Sequence, residues 1–196
     1  MADKIKGVVF DFDGTVTKPF FDFGLIKDEI GMPRDRLIIE YLEDKSEEFC
    51  RKAQQILDKW ELRAAEEAEL NDHFPELLKF LNKKNIKTAI LTRNKMESVK
   101  IVMERFGLSF DYIDTRDKEP IKPHPDSMER VINSLKINPE HILTIGDYEH
   151  DIHCGKHAGT LTMYLTNRNS DYDLSAEPDF IVDDLKEGLD IIRSII

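Results

Sequence analysis

The stretch Val8-Val9-Phe10-Asp11-Phe12-Asp13-Gly14-Thr15 is a short apolar run that ends abruptly in two carboxylates one residue apart, followed by a glycine that lets the backbone turn. Successive side chains of a strand point to opposite faces, so acids at i and i+2 can project the same way only near the strand's end. Open α/β sheets place ligand sites there, just beyond the carboxyl ends of their strands. Like charges brought together out of water are costly unless something positive lies between or above them. A hard cation such as magnesium, which prefers oxygen ligands, meets that need. Taken alone, the stretch has a plainer alternative, an acidic turn after an edge strand.

The rest of the chain extends this pattern. Residues 5–10, dominated by valine and isoleucine, suit a strand buried on both faces of a parallel sheet. After Thr17, Lys18-Pro19 breaks the backbone, and the chain turns helical and heavily charged to about Leu70. Phe49, Cys50, Ala53, Ile56, Leu57, Trp60, Ala64 and Ala68 recur at steps of mostly three and four, which marks one face of a long helix with Asp44 and Glu47 as its capping box. Shorter helices are expected over 22–30 and 33–42, with Gly31 as the stop between them.

From Pro75 strands and helices alternate. Strands are expected over 86–91, 110–114, 142–145, 161–165 and 180–182, and helices over 75–84, 125–135 and 149–158. A second capping box, Asn94 with Glu97, opens a helix that stops at Gly107, and Asp183 caps a C-terminal helix. Strands separated by helices call for a parallel sheet with right-handed crossovers. The expected fold is therefore α/β, a Rossmann-like parallel-sheet core from residues 1–18 and 72–196, with a helical segment, 19–71, inserted after the first strand. A chain of 196 residues is long enough to bury one good core beside such an insert.

With 39 acidic residues against 28 basic ones and a net charge of −11, binding to nucleic acid or to an anionic membrane is disfavoured, since both need a basic surface. A small molecule is the expected partner; monomer and homodimer are equally open. Cys50 and Cys154 lack metal-ligand spacing and read as small buried hydrophobes. No apolar signal region precedes Gly7 and no segment approaches the length of a membrane span, so a reducing, cytoplasmic setting is expected.

Four polar groups fall at or just after expected strand ends: Asp11 with Asp13, Thr92, Lys122, and Asp147 with Asp151. Strand ends of a parallel sheet face one way, so these groups can converge despite their separation in sequence. Carboxylates for a metal, a hydroxyl and an ammonium for phosphoryl oxygens, and one carboxylate left to attack describe a phosphate site.

In order, Asp11-Phe12-Asp13-Gly14-Thr15, Leu91-Thr92-Arg93-Asn94, Lys122-Pro123-His124-Pro125 and Gly146-Asp147-Tyr148-Glu149-His150-Asp151, with Ala158-Gly159 beyond, resemble the four signatures of the haloacid dehalogenase superfamily of phosphotransferases. The resemblance covers almost the whole chain. It implies a magnesium-dependent phosphatase acting on a small phosphorylated metabolite, with Asp11 as nucleophile and Asp13 as general acid and then base. Magnesium would be held by Asp11, the backbone carbonyl of Asp13, and Asp147; Asp151 would bind it directly or through water, or instead hold Lys122. Thr92, Lys122 and backbone amides around Asn94 would grip the phosphoryl group, and Arg93 and Arg116 are candidates for phosphate or a substrate carboxylate.

An aspartate at position 13 favours phosphoryl transfer over dehalogenation, which needs no acid for a halide. The insert resembles the family's cap, hinged near Thr17-Lys18-Pro19 and Asn71-Asp72-His73. The cap type and Thr92-Arg93-Asn94 look most like phosphoglycolate phosphatases, although Thr17-Lys18-Pro19 departs from the acidic residue followed by Ser or Thr that many of those carry. Alternatives are a sugar phosphomutase on the same scaffold and a non-catalytic binding module.

Other polar residues take plainer readings. Lys27, Lys45, Lys52 and Lys59 read as solvated helix charges. His124, His141, His150, His153 and His157 read as surface or packing residues, Trp60 as core, and the acidic run from Glu61 to Glu69 as a solvated helix face.

Overall fold

A computed structural model describes residues 5–169 and 174–196. The strands are β1 (Gly7–Phe10), β2 (Lys87–Leu91), β3 (Tyr112–Asp114), β4 (Ile142–Gly146), β5 (Leu161–Leu165) and β6 (Phe180–Val182). The helices are α1 (Phe23–Ile30), α2 (Ile38–Leu42), α3 (Glu47–Glu67), α4 (Phe74–Lys83), α5 (Met96–Phe106), α6 (Pro125–Leu135), α7 (Glu149–Ala158) and α8 (Leu185–Ile195). All strands are parallel, in the order β3-β2-β1-β4-β5-β6. This is the doubly wound α/β arrangement, whose order reverses between β1 and β4 and opens a crevice at their carboxyl ends.

The central strands are buried on both faces because their residues alternate between two apolar clusters. Val8, Phe10, Ile90, Leu143 and Ile145 join one cluster with Phe74 and Leu77 of α4. Val9, Ala89, Leu91 and Ile142 join the other with Met128 and Val131 of α6. The rings of Phe10 and Phe74 meet edge to face at 5.3 Å. A third cluster, built on Ile26, Ile30, Met32 and Ala53, holds α1–α3 together. Trp60 packs against it while its indole N–H donates to Glu29 at 2.8 Å.

Several local expectations are corrected. The long helix is capped by Ser46, whose hydroxyl accepts from the Phe49 N–H at 3.3 Å, and not by Asp44. Helix α5 begins beyond Asn94: its first donors, on Lys95 and Met96, are met by Glu61 at 3.3 Å and Asp117 at 2.8 Å, carboxylates from elsewhere in the chain. Asp184, not Asp183, caps α8 by accepting from Lys186 and Glu187. The helix expected over 33–42 shrinks to α2. Cys154 is buried as expected, whereas Cys50 is only half-buried, its thiol 3.3 Å from the Leu42 carbonyl oxygen. Among the described residues, no helix is long and apolar enough to cross a membrane.

Candidate active site

Asp11 follows β1 directly and Asp147 follows β4, so both stand at the crevice between the two neighbouring strands. Asp11 is anchored there by its backbone N–H, which donates to the Ile145 carbonyl at 2.9 Å. Lys122 reaches the crevice from the loop between β3 and α6. Its ammonium is only 4% exposed and donates to Asp11 and, at 2.6 Å, to Asp151 of α7. The other Asp151 oxygen accepts the Tyr148 N–H at 3.2 Å.

One carboxylate oxygen from each of Asp11, Asp147 and Asp151 lies within 4.8 Å of the others, a donor set of hard oxygens suited to a divalent cation. Two glycines make room for it. A Cβ on Gly14, whose φ is +79°, would lie 1.8 Å from Asp147 Oδ2, and a Cβ on Gly146 would lie 2.2 Å from Asp151 Oδ2. Asn167, two residues past β5, donates to the Gly14 carbonyl at 2.8 Å and approaches Asp147 Oδ2 at 3.4 Å. Asn71 donates to the same carbonyl at 3.0 Å.

The carboxyl groups of the crevice outnumber its ammonium. Burial pushes Asp11 up to about 6, against the opposing pull of Lys122. Burial, followed by the charge of Asp11, pushes Asp13 up to about 7, although a hydrogen bond from Asn94 opposes the rise. Asp147 is raised well above the usual carboxylate range by burial and then by Asp11 and Asp151. Burial works against the Lys122 ammonium, but Asp11 and Asp151 more than offset it and hold its proton tightly.

A stability prediction follows from these directions. Acids whose folded-state pKa values are raised contribute stability that is complete below about pH 4 and lost as pH rises through about 6 to 7. The metal-free protein is therefore expected to melt higher at pH 5 than at pH 8, and added magnesium to raise the melting midpoint more at pH 8. Thermal denaturation with and without EDTA at the two pH values checks both.

The remaining sequence candidates are placed less uniformly. Phe10 pairs with Ile90, so Thr92 and Phe12 each lie two residues past that pairing, at the same rim of the sheet. The Thr92 hydroxyl accepts the Asn94 N–H at 3.1 Å. Arg93 turns to His150, at 2.8 Å. Arg116 pairs with Glu61 and Asp58 of α3 and also donates to the Arg93 carbonyl at 3.3 Å.

Glu61 corrects the reading of its acidic run as a solvated face: it is 7% exposed and lines a small cavity together with Asp13 and Asn94. Sequence reading also missed Asn167, whose only signal was its place just beyond a strand end. It missed Arg130 too, which grips Asp114 through two nitrogens at 2.9 and 3.0 Å and the Pro120 carbonyl at 2.8 Å, bracing the loop that carries Lys122. Of the lysines of α1 and α3, Lys52 and Lys59 pair with surface glutamates and Lys27 donates to the Arg34 carbonyl at 2.8 Å. Among the described residues, the histidines take part in no group of three or more potential metal ligands.

A parallel sheet of this order, with carboxylates and a buried lysine at its switch point, is the α/β arrangement that the motifs lead one to expect. Residues 26–164 match the family described as haloacid dehalogenase-like hydrolase. The chain is similar to a haloacid dehalogenase-like hydrolase domain-containing protein of Arabidopsis thaliana, 31% identical over 97% of this chain and 85% of that one. It is similar to the pyrophosphatase PpaX of Halalkalibacterium halodurans, 34% identical over 60% of this chain and 57% of that one. A hydrolase from Pseudomonas syringae shares the fold with a TM-score of 0.81 at 20% identity, covering 97% of this chain and 99% of that one. The chain belongs to the haloacid dehalogenase-like hydrolase family.

Proposed function

We propose that the chain is a magnesium-dependent phosphatase that hydrolyses a small phosphorylated metabolite through an aspartyl-phosphate at Asp11, in the manner of the phosphoglycolate phosphatase-like members of its family. The observation that carries this reading is the contact of Asp11 with the buried Lys122 ammonium, together with carboxylate oxygens of Asp11, Asp147 and Asp151 that lie within 4.8 Å of one another.

In the first step an Asp11 oxygen attacks phosphorus, the bond to the leaving oxygen breaks, and Asp13 gives that oxygen a proton. A pKa of about 7 in this environment suits Asp13 to hold a proton and then lose it near neutrality. In the second step water attacks phosphorus, Asp13 takes its proton, and phosphate leaves Asp11 free. Lys122 and Thr92 hold the phosphoryl oxygens, with Arg93 and Asn94 at the rim. A divalent cation held by Asp11, Asp147 and the Asp13 carbonyl would neutralise the phosphoryl oxygens as negative charge redistributes. Asp151, both of whose oxygens are engaged, best suits the part of holding Lys122, with any metal contact secondary.

Residues 19–71 serve in this reading as a cap over the core of residues 1–18 and 72–196, excluding water and meeting the leaving group. The test is phosphate release from a generic aryl phosphate and from a panel of sugar phosphates, nucleotides and phosphorylated acids. Release that needs magnesium and stops with EDTA supports the proposal. Return of the phosphoryl group to a second substrate hydroxyl would make the protein a mutase, and no turnover of any compound by folded protein would make it a binding module.

A further inference from the structure

Lys122 brings its ammonium to the crevice from residues 115–124, a stretch with neither helix nor strand between β3 and α6. A side chain on such a stretch is placed only as well as the backbone beneath it is held. Downstream of Lys122, the His124 N–H closes a turn on the Ile121 carbonyl at 2.9 Å, and the His124 carbonyl accepts from the Ser127 hydroxyl at 2.7 Å. Upstream, the hold is made by a guanidinium. Arg130 of α6 donates through Nη2 to the carbonyls of Pro120 at 2.8 Å and Lys118 at 3.2 Å, and through Nη1 to that of Glu119 at 3.4 Å.

The guanidinium is itself fixed by Asp114, whose oxygens accept from Nε at 3.0 Å and from Nη2 at 2.9 Å. The Tyr112 hydroxyl donates to the same carboxylate at 3.0 Å. Asp114 is 2% exposed and ends β3, on the side of the sheet where Asp11 follows β1 and Asp147 follows β4. Paired with Arg130, it stands outside the group formed by Asp11, Asp147 and Asp151. The planar fork of arginine, with five N–H donors, can bind a carboxylate and several carbonyls at once; the compact ammonium of lysine cannot.

We infer that Arg130 is a positioning residue: by drawing the carbonyls of residues 118–120 onto a guanidinium anchored at Asp114, it sets where the Lys122 ammonium meets Asp11 and Asp151. The inference rests on the phosphatase reading and adds to it a residue whose contacts are with the backbone behind Lys122. A charged group displaced by about 1 Å from its working position can cost on the order of 100-fold in rate, so the grip matters to turnover as well as to folding.

The experiment is a double-mutant cycle with an aryl phosphate and magnesium, run below the melting midpoint of every variant. Arg130→Lys keeps a cation for Asp114 and gives up the carbonyls. It is expected to lower kcat by about 10- to 100-fold, with KM little changed, because Lys122 acts on charge that develops in the transition state. In a Lys122→Met background the same substitution is expected to change kcat by no more than about twofold, since the group it positions is gone. A residue that only supports the fold would lower kcat by the same factor in both backgrounds. If Arg130→Lys does not fold, Arg130→Met combined with Asp114→Asn, which leaves no buried charge unpaired, carries the same expectation.

The cycle is repeated on the melting midpoint of the metal-free protein at pH 8, where Lys122→Met is expected to cost less in the Arg130→Lys background than in wild type. Turnover by Arg130→Lys within about twofold of wild type, or equal fold-losses in the two backgrounds, overturns the inference and leaves the phosphatase reading standing. If the wild type releases no phosphate from any compound tried, the phosphatase reading falls and the melting cycle decides: equal falls in the two backgrounds overturn the inference, and a smaller one in Arg130→Lys supports the hold on Lys122.

Discussion

Asp11→Asn is expected to lower magnesium-dependent phosphate release by on the order of 10^4-fold or more, because an amide is too poor a nucleophile to form the acyl phosphate. The fold is expected to survive. Asparagine retains an oxygen that can accept from Lys122, and the substitution removes a carboxylate whose ionisation is disfavoured by burial and by Asp151. The melting midpoint of the metal-free variant at pH 8 should therefore equal or exceed that of the wild type, which separates loss of chemistry from loss of structure. Activity that persists within about tenfold would remove Asp11 from the reaction.

Lys122→Met has the second large effect, and it acts on stability as well as turnover. The ammonium is almost fully enclosed and bridges two carboxylates, and Asp151 itself is only 3% exposed. Methionine of similar length leaves those carboxylates facing one another with no cation. Removing one partner of a buried pair costs about 3–5 kcal/mol, because the remaining charge is left buried and uncompensated. For a chain of this size that corresponds to a fall of about 10 °C in melting midpoint. The fall should be larger at pH 8 than at pH 5, where Asp11, raised to about 6 by burial, takes up a proton instead. Turnover should drop on the order of 10^3-fold through lost stabilisation of charge on the phosphoryl oxygens. A variant as stable as wild type at pH 8 would contradict the charge balance described here.

The contrast between what the sequence reveals and what it hides follows from the range of the interactions involved. The parallel sheet was legible because a strand buried on both faces is dominated by apolar residues, as residues 7–10 are and as residues 142–146 are apart from Thr144. The approach of Asp11, Lys122, Asp147 and Asp151 follows from the same geometry, since parallel strands present their carboxyl ends on one side. The helix stops at Gly31, Gly107 and Gly159 were legible because a helix end is a local event.

Glu61 was not legible. By spacing it belongs to a charged face of α3, and only the approach of Arg116, 55 residues away, turns that face inward. The same holds at the start of α5, where Asp117 and Glu61 meet donors that a local capping box would have taken. Asn167 contacts Gly14 across 153 residues with no motif around it. Charged and polar partners brought in by tertiary packing leave no periodic trace, so the ionic cluster that ties α3 to Lys95 and Arg116 could be found only in three dimensions.

The central claim, that Asp11 accepts the phosphoryl group, is tested most directly by trapping it there. Protein quenched in acid during turnover and reduced with borohydride converts an acyl phosphate to an alcohol, so a modified aspartate becomes homoserine and can be located by peptide mass mapping. The account predicts homoserine at position 11 and at no other aspartate. Reduction at Asp13 or Asp147, or steady phosphate release with residue 11 unmodified throughout, would contradict it.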